Sequence, residues 1–401
     1  MSEFMHTQMP THTTQEPDKA LMEPFASPFQ PISAQEVQRY LQSGQLPQTP
    51  APLRGNIERF VGYLHVPIGL AGPLSIRGDH AQGNYYVPLA TTEGALVASY
   101  NRGMKAIRLS GGCRVISRGP KVQRSPYFQF EHLDQAAAFA HTVERAFDTF
   151  HQLTRRQSRH AQLLSATPRI EGNAVRLMLT FDTADAAGQN MATFCAEEIC
   201  QYIIHHLQPK PLKWYLESNL SGDKKASALS FIDGRGHWAC AEVVLPPQVV
   251  ADVLKSSPVA MARYWQVSTL STAQALTYGT VGHVANALTA LFLACGQDVA
   301  CVTESAVGIL RIEQTDCGAL YASLTLPSLV IGTVGGGTAL PTQRECLKII
   351  DCEGTGKAAK FAEIATATAL AGELSIAAAL AEGHFAQAHR QLGRKPKSTK
   401  S

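Results

Sequence analysis

At 401 residues, 45% hydrophobic and 17% charged, the chain is long enough for two or three domains, and its composition excludes a fibrous or disordered protein. A net charge of +3 is too small to argue for nucleic acid, although a few placed cations would suit a polyanionic small molecule. The nine cysteines include no CxxC pair, which points to reduced thiols in the cytosol rather than disulfides or zinc.

Residues 1–30 are polar and Pro-rich and read as a disordered leader without a signal peptide. Ser33 and Glu36 have capping-box spacing and open a short helix with Val37, Tyr40 and Leu41 on one face. A small helical segment is therefore expected over 31–54, with a Pro-rich connector at 47–52. The apolar residues from 83 to 90 predict a strand, and a helix is expected from Glu93 to Leu109 with Thr91 and Thr92 at its start. Residues 132–165 carry helical patterning, Ala174 to Phe181 alternates like a strand, and 193–207 returns to helical spacing. Together these make 120–215 a compact strand-and-helix unit.

Further strands are expected at 226–233, 237–244, 308–313 and 319–325. The most apolar long stretch, Val281 to Val302, contains His283, Asn286, Gln297 and Asp298. It reads as a buried helix followed by a loop or strand, not as a membrane span. A long Ala-rich helix is expected over 357–382, and 395–401 is a short basic tail. The class is α+β with an inserted smaller domain, and the chain is expected to be soluble.

Several residue types suggest chemistry. Glu93, at a strand-to-helix junction, could be desolvated beside a ligand and hold a proton, or could be a solvated first-turn glutamate complementing the helix dipole. Asp298 is an acid in the apolar run ACGQDVACV, where it needs a partner, catalytic or merely structural. Lys224 and Lys225 follow Asp223, and two cations beside an acid suit a carboxylate or a developing oxyanion, as they also suit an ordinary surface. His384 and His389 lie past the long helix, where a histidine can protonate a thiolate or simply be solvated. GTVGGGT (332–338) allows close backbone approach but lacks the GxGxxG arrangement of a dinucleotide-binding turn.

Taken in order, VGYLHVPIGLAGPL (61–74), ATTEGALVASYNRGMKAI (90–107), SRGP (117–120), DAAGQNM (185–191), GDKKASAL (222–229), GHVANALTALFLACGQD (282–298), GTVGGGTALPTQ (332–343) and AGELSIAAALAEGH (371–384) form a consistent set. The chain closely resembles the catalytic domain of the 3-hydroxy-3-methylglutaryl-CoA reductases over roughly 31–394, more the eukaryote-like class, without a membrane anchor. The resemblance implies a large CoA-thioester-binding domain (55–119 and 216–394) around a central helix and an inserted ferredoxin-like NADP-binding domain (120–215). It implies NADPH, two per turnover, a cytoplasmic homodimer or dimer of dimers with active sites shared between chains, and neither metal, nucleic acid nor membrane.

By matching position, the resemblance makes Glu93 the proton-handling acid, Lys224 the oxyanion donor, Asp298 the residue that tunes both, and His389 the acid for the departing thiolate. It places Ser99, Arg118, Asp223, Lys225 and Asn286 on the acyl group. Asp185, Gly188, Asn190 and Met191 match the cofactor motif, and Ser158 and Arg159 match the 2′-phosphate site. The types make chemical sense, because each of two reductions builds negative oxygen that a fixed cation beside an acid can stabilise.

Two departures bear on the substrate. No lysine lies between Lys255 and Lys348, where the family has one before the position of His283, and by strict spacing Glu217 stands where a serine is usual, although Ser218 could fill that position with a one-residue adjustment. Each should weaken binding of an anionic substrate, by about 1–3 kcal/mol for a charged hydrogen bond. Lys395 stands where regulated animal members carry a phosphorylated serine. The sequence thus leaves two other readings open: a reductase of a related acyl-CoA thioester, or a catalytically weakened dimeric homologue.

Overall fold

The computed structural model describes Leu53, residues 55–60 and residues 62–383. The leader, the helix expected from Ser33, the tail, His384 and His389 lie outside the described residues. The chain divides into two compact units, Met1–His65 and Val66–Ser401. In the first, the rings of Phe60 and Tyr63 meet edge-on at 5.0 Å.

In chain order the second unit contains β1 (Ile68–Gly78), β2 (Gln82–Ala90), α1 (Leu96–Leu109), β3 (Cys113–Arg124), β4 (Tyr127–Gln129), α2 (Leu133–Arg145) and α3 (Phe147–Gln157). Then come β5 (Gln162–Glu171), β6 (Ala174–Asp182), α4 (Gln189–His206), β7 (Lys213–Tyr215), α5 (Leu229–Ile232), β8 (Gly236–Leu245) and α6 (Pro247–Val249). The last part holds α7 (Pro258–Gln274), α8 (Val284–Ala294), α9 (Val302–Ser305), β9 (Ile309–Gln314), β10 (Leu320–Leu329), α10 (Pro341–Ile349) and α11 (Ala358–Ala381).

β3 connects two sheet regions. Its first half pairs parallel with β1, through Cys113 opposite Ile76, and antiparallel with β8, through Val115 opposite Ala241. β8 continues to β10 and β10 to β9, while β2 closes a hairpin on β1. The far end of β3, Val122–Arg124, pairs instead with β6, which also carries β5 and β4, and β4 carries β7. Residue 120, where the inserted unit was expected to begin, lies within this continuous strand.

Each sheet region has its own core. One includes Tyr100, Met104, Phe292, Leu324, Leu370 and Leu374 and is centred on α11. The other packs Phe128, Phe130, Phe139, Phe150 and Phe181 against Ile199 of α4, and among the described residues its buried members all fall between Val122 and Ile203. α11 is 24 residues long and apolar enough to cross a membrane, yet 83% of its most apolar window is buried inside the protein. A helix apolar on every side is what a core position between a sheet and other helices requires. All nine cysteines are free thiols, seven of them buried.

Three sequence expectations need correction. The helix after β2 starts at Leu96, not Glu93, because Ala95 takes a left-handed φ of 72° and breaks the run. Thr91 does not cap it; its Oγ1 accepts the Glu93 N–H at 3.0 Å and shapes the preceding turn. The patterning over 132–165 resolves into α2, α3 and the start of β5, since Ser158 ends α3 in an extended conformation. The expected strand at 226–233 is the short helix α5, stopped by Gly234 at φ 63°, with Phe231 and Ile232 exposed.

Candidate active site

Glu93 sits in the exposed turn between β2 and α1. Asn286, in the first turn of α8, donates its Nδ2 to Glu93 Oε2 at 2.9 Å. Behind Glu93, α1 packs on α11 and reaches the residue before α8: Ser99 Oγ lies 2.9 Å from Ser375 Oγ, and the Tyr100 hydroxyl lies 3.2 Å from His283 Nδ1. Two predicted residues, Glu93 and Asn286, therefore meet at one end of α8, while Ser99 faces α11. Glu373 of α11 is fully buried beneath them and accepts backbone N–H groups from Gly282 and His283. Burial pushes its carboxyl up to about 7, and those hydrogen bonds only partly offset the effect. Burial and the nearby carboxylates of Glu373 and Glu93 push the Tyr100 hydroxyl well above its ordinary range.

Lys224, Asp298 and Asp223 form a second group. Lys224 occupies a left-handed turn at φ 55°, and its Nζ lies 3.0 Å from Asp298 Oδ2. This hydrogen bond is the leading reason that the ammonium is held above its ordinary pKa. The Lys224 N–H donates to Glu304 Oε1 at 3.1 Å, and Lys225 Nζ donates to the Asp223 carbonyl at 2.9 Å. Arg235, buried, bridges Asp223 Oδ1 at 2.9 Å and Glu304 Oε1 at 3.2 Å. Burial pushes the Glu304 carboxyl upward, and Arg235 and the Lys224 N–H oppose it.

The two groups lie toward opposite ends of α8. Asn286 is in its first turn and Asp298 follows its last residue, Ala294, by four positions. The helix from Asn286 to Ala294 is about 12 Å long at 1.5 Å per residue. Among the described residues, no hydrogen bond or ion pair joins Glu93 to Lys224 or Asp298. Arg118 lies on β3, its guanidinium 5.3 Å from the centre of the Trp238 ring.

The DAAGQNM segment leads into α4. Gly188 is its N-cap at φ 74°, and a Cβ there would lie 2.4 Å from the Thr183 side chain, so only glycine fits. Asn190 is exposed and Met191 half-buried in the first turn. Asp185 turns its carboxylate away from that turn to the start of α11, accepting from Gly356 N at 2.7 Å and Ala358 N at 3.0 Å. The glycine run at 332–338 packs directly on this segment: Thr333 N donates to the Asp185 carbonyl, and a Cβ on Gly332 would lie 2.4 Å from Ala187 N. Ser158 Oγ accepts from His160 N and Ala161 N at 3.2 Å, and Arg159 beside it is exposed. His389, the remaining predicted residue, lies outside the described residues.

Sequence reading missed the buried support. Gln189 Oε1 accepts from Arg235 at 2.6 Å and from Arg124 at 3.1 Å, tying the start of α4 to the Lys224 turn. Arg235, Glu304 and Glu373 are charged residues inside apolar or glycine-containing runs, a signal that marked Asp298 and would have marked them. The departure at Glu217 also finds its place: the carboxylate accepts from Ser125 N at 3.2 Å and Asn219 N at 2.8 Å, organising the loop. The potential ligand atoms of Asp223, Cys301 and Glu304 lie within 4.8 Å of one another, but Arg235 already supplies a cation to both carboxylates.

The sequence profile of Hydroxymethylglutaryl-coenzyme A reductase matches residues 28–394. The 3-hydroxy-3-methylglutaryl-coenzyme A reductase of Pyrococcus horikoshii is 44% identical over 84% of this chain and 84% of its own length. The Methanocaldococcus jannaschii protein of the same name is 40% identical, covering 85% of each chain. In fold, the chain is similar to the class II 3-hydroxy-3-methylglutaryl-CoA reductase of Streptococcus pneumoniae bound to NADPH, with a TM-score of 0.66 at 17% identity over 82% of this chain and 89% of that one. With the profile spanning nearly the whole chain and these relatives covering most of it, this chain belongs to the hydroxymethylglutaryl-coenzyme A reductase family.

Proposed function

We infer that the chain reduces 3-hydroxy-3-methylglutaryl-CoA to mevalonate and CoA with NADPH. The observation that carries this reading is the Lys224–Asp298 pair, a fixed ammonium held charged beside a carboxylate, in a chain of this family. Such a group stabilises negative oxygen as a thioester or aldehyde carbonyl is reduced. Glu93, hydrogen-bonded to Asn286, would exchange a proton with the same oxygen when supplied by the partner chain. Asp223, Lys225, Arg118 and Ser99 bind the acyl group and its carboxylate. When the first reduction gives a hemithioacetal, its C–S bond breaks, and His389 protonates the departing thiolate.

The residues present fit NADPH. The start of α4 has no side-chain cap and no acid in its first turn, so its N–H groups can meet phosphate. Gly188, Asn190 and Met191 would line that approach, Asp185 would hold the segment against α11, and Arg159 with Ser158 would meet the 2′-phosphate. When bound, the nicotinamide supplies the hydride.

The separation of the two groups along α8 supports a homodimer in which Glu93 of one chain faces Lys224 of the other. Exposed apolar residues favour a covered surface as well: Ile68 and Leu70 on one face of β1 are 48% and 55% exposed, and Ile232 beside the lysine turn is 73% exposed.

The test is oxidation of NADPH with a panel of acyl-CoAs. Turnover on hydroxymethylglutaryl-CoA above all others is expected. Turnover only on another acyl-CoA would shift the substrate, and no turnover by a folded protein would leave a binding role.

A further inference from the structure

Helix α8 carries Asn286, and its start is held in an unusual way. His283 is the N-cap residue, yet its side chain accepts no hydrogen bond from the helix. The first N–H groups of a helix have no partner within it. Here the partner comes from another helix: the Glu373 carboxylate, on α11, accepts Gly282 N at 2.9 Å and also His283 N. From α1, the buried Tyr100 donates its hydroxyl to the His283 carbonyl at 3.3 Å. Three helices thus meet at the two residues that precede α8.

A serine or asparagine at position 283 could cap α8 without burying a charge. A carboxylate reaching from α11 adds something a local cap lacks, because it fixes where the start of α8 sits relative to α11. One turn further on, Asn286 donates to Glu93. We propose that Glu373 is a positioning residue for Glu93: it clamps the Gly282–His283 backbone so that Asn286 meets the Glu93 carboxylate. The proposal rests on the reading of Glu93 as the proton-handling acid. Its burial supports it, since Glu373 is placed there at a cost that raises its pKa to about 7.

The test is a double-mutant cycle on turnover of hydroxymethylglutaryl-CoA with Glu373→Gln and Asn286→Ala. Each single variant should lower kcat on the order of tenfold to a hundredfold, as misplacement of a reacting group does. KM for NADPH should move less than about threefold. If Glu373 acts through Asn286, the double variant loses no more than the worse single variant. Tyr100→Phe removes the other clamp without touching Glu373 and should be non-additive with Asn286→Ala in the same way. It serves as the readout if Glu373→Gln fails to fold.

Additive losses, or wild-type kcat in folded Glu373→Gln, would overturn the proposal while leaving the reductase reading intact. Absence of wild-type turnover would overturn the reading and the proposal together.

Discussion

Lys224 is fixed at both ends: its Nζ lies 3.0 Å from Asp298 Oδ2, and its backbone N–H reaches the buried Glu304. An ammonium so held needs little rearrangement to meet a developing oxyanion. Lys224→Ala should therefore show no measurable steady-state turnover while keeping its fold. Asp298→Asn should lose on the order of a hundredfold in kcat, because the ammonium loses the partner that orients it. Normal rates in either variant would remove the proposed roles.

If Glu93 and Lys224 meet only across two chains, defects in them should complement. Glu93→Gln and Lys224→Ala, each inactive alone, are coexpressed. Random pairing makes half of the dimers mixed, and each mixed dimer contains one intact site. The mixture should recover about a quarter of wild-type activity. A mixture no more active than its parents would show that each site is built within one chain.

Arg159 is exposed beside Ser158, whose hydroxyl is occupied by two backbone N–H groups. Loss of one charged hydrogen bond to the 2′-phosphate, about 1.5–3 kcal/mol, corresponds to roughly ten- to a hundredfold in KM. Arg159→Ala should raise KM for NADPH by that factor and leave KM for NADH nearly unchanged. Ser158→Ala removes a hydroxyl that can still donate to the phosphate and should raise KM for NADPH by a smaller factor, with a lower Tm as the turn loosens. Equal effects of Arg159→Ala on both cofactors would place the 2′-phosphate elsewhere.

What the sequence made legible follows from how local each signal is. The Ala-rich α11, β6 and β8 could be read because apolar periodicity reports burial directly. The start of α1 could not, because a left-handed Ala95 leaves no trace in periodicity. The α5 segment has strand-like composition but turns at Gly234 before it can pair. Among site residues, Asp298 stood out as an acid in an apolar run and Lys224 as one of a lysine pair beside an acid, but only the family resemblance joined them. The supporting Arg235–Glu304 and Glu373 contacts join residues 69 or more positions apart, and only the fold brings them together.

Two buried groups should give the pH–stability curve opposite slopes. Glu373 titrates near 7 in the fold and in the ordinary carboxyl range when unfolded. Between about pH 4.5 and 7 the native state holds the extra proton, so this group makes stability fall as pH rises. His237, buried on β8, is held down to about 4 by desolvation. Between about pH 4 and 6.5 the unfolded state holds the extra proton, so stability rises with pH. The two contributions, each about 3 kcal/mol, oppose one another through most of that window. Urea unfolding of Glu373→Gln from pH 4.5 to 6.5 should reveal a rise that the wild type largely hides. An unchanged difference between the two proteins across that range would contradict the Glu373 assignment.

A four-electron reduction that ends at the alcohol is tested most directly by its stoichiometry. With hydroxymethylglutaryl-CoA limiting, NADPH consumed and free CoA thiol released are measured on the same sample to completion. Two NADPH oxidised for each thiol released, with mevalonate as the product, is the expected result. One NADPH per thiol, with aldehyde accumulating, or thiol released without NADPH oxidation, would contradict it.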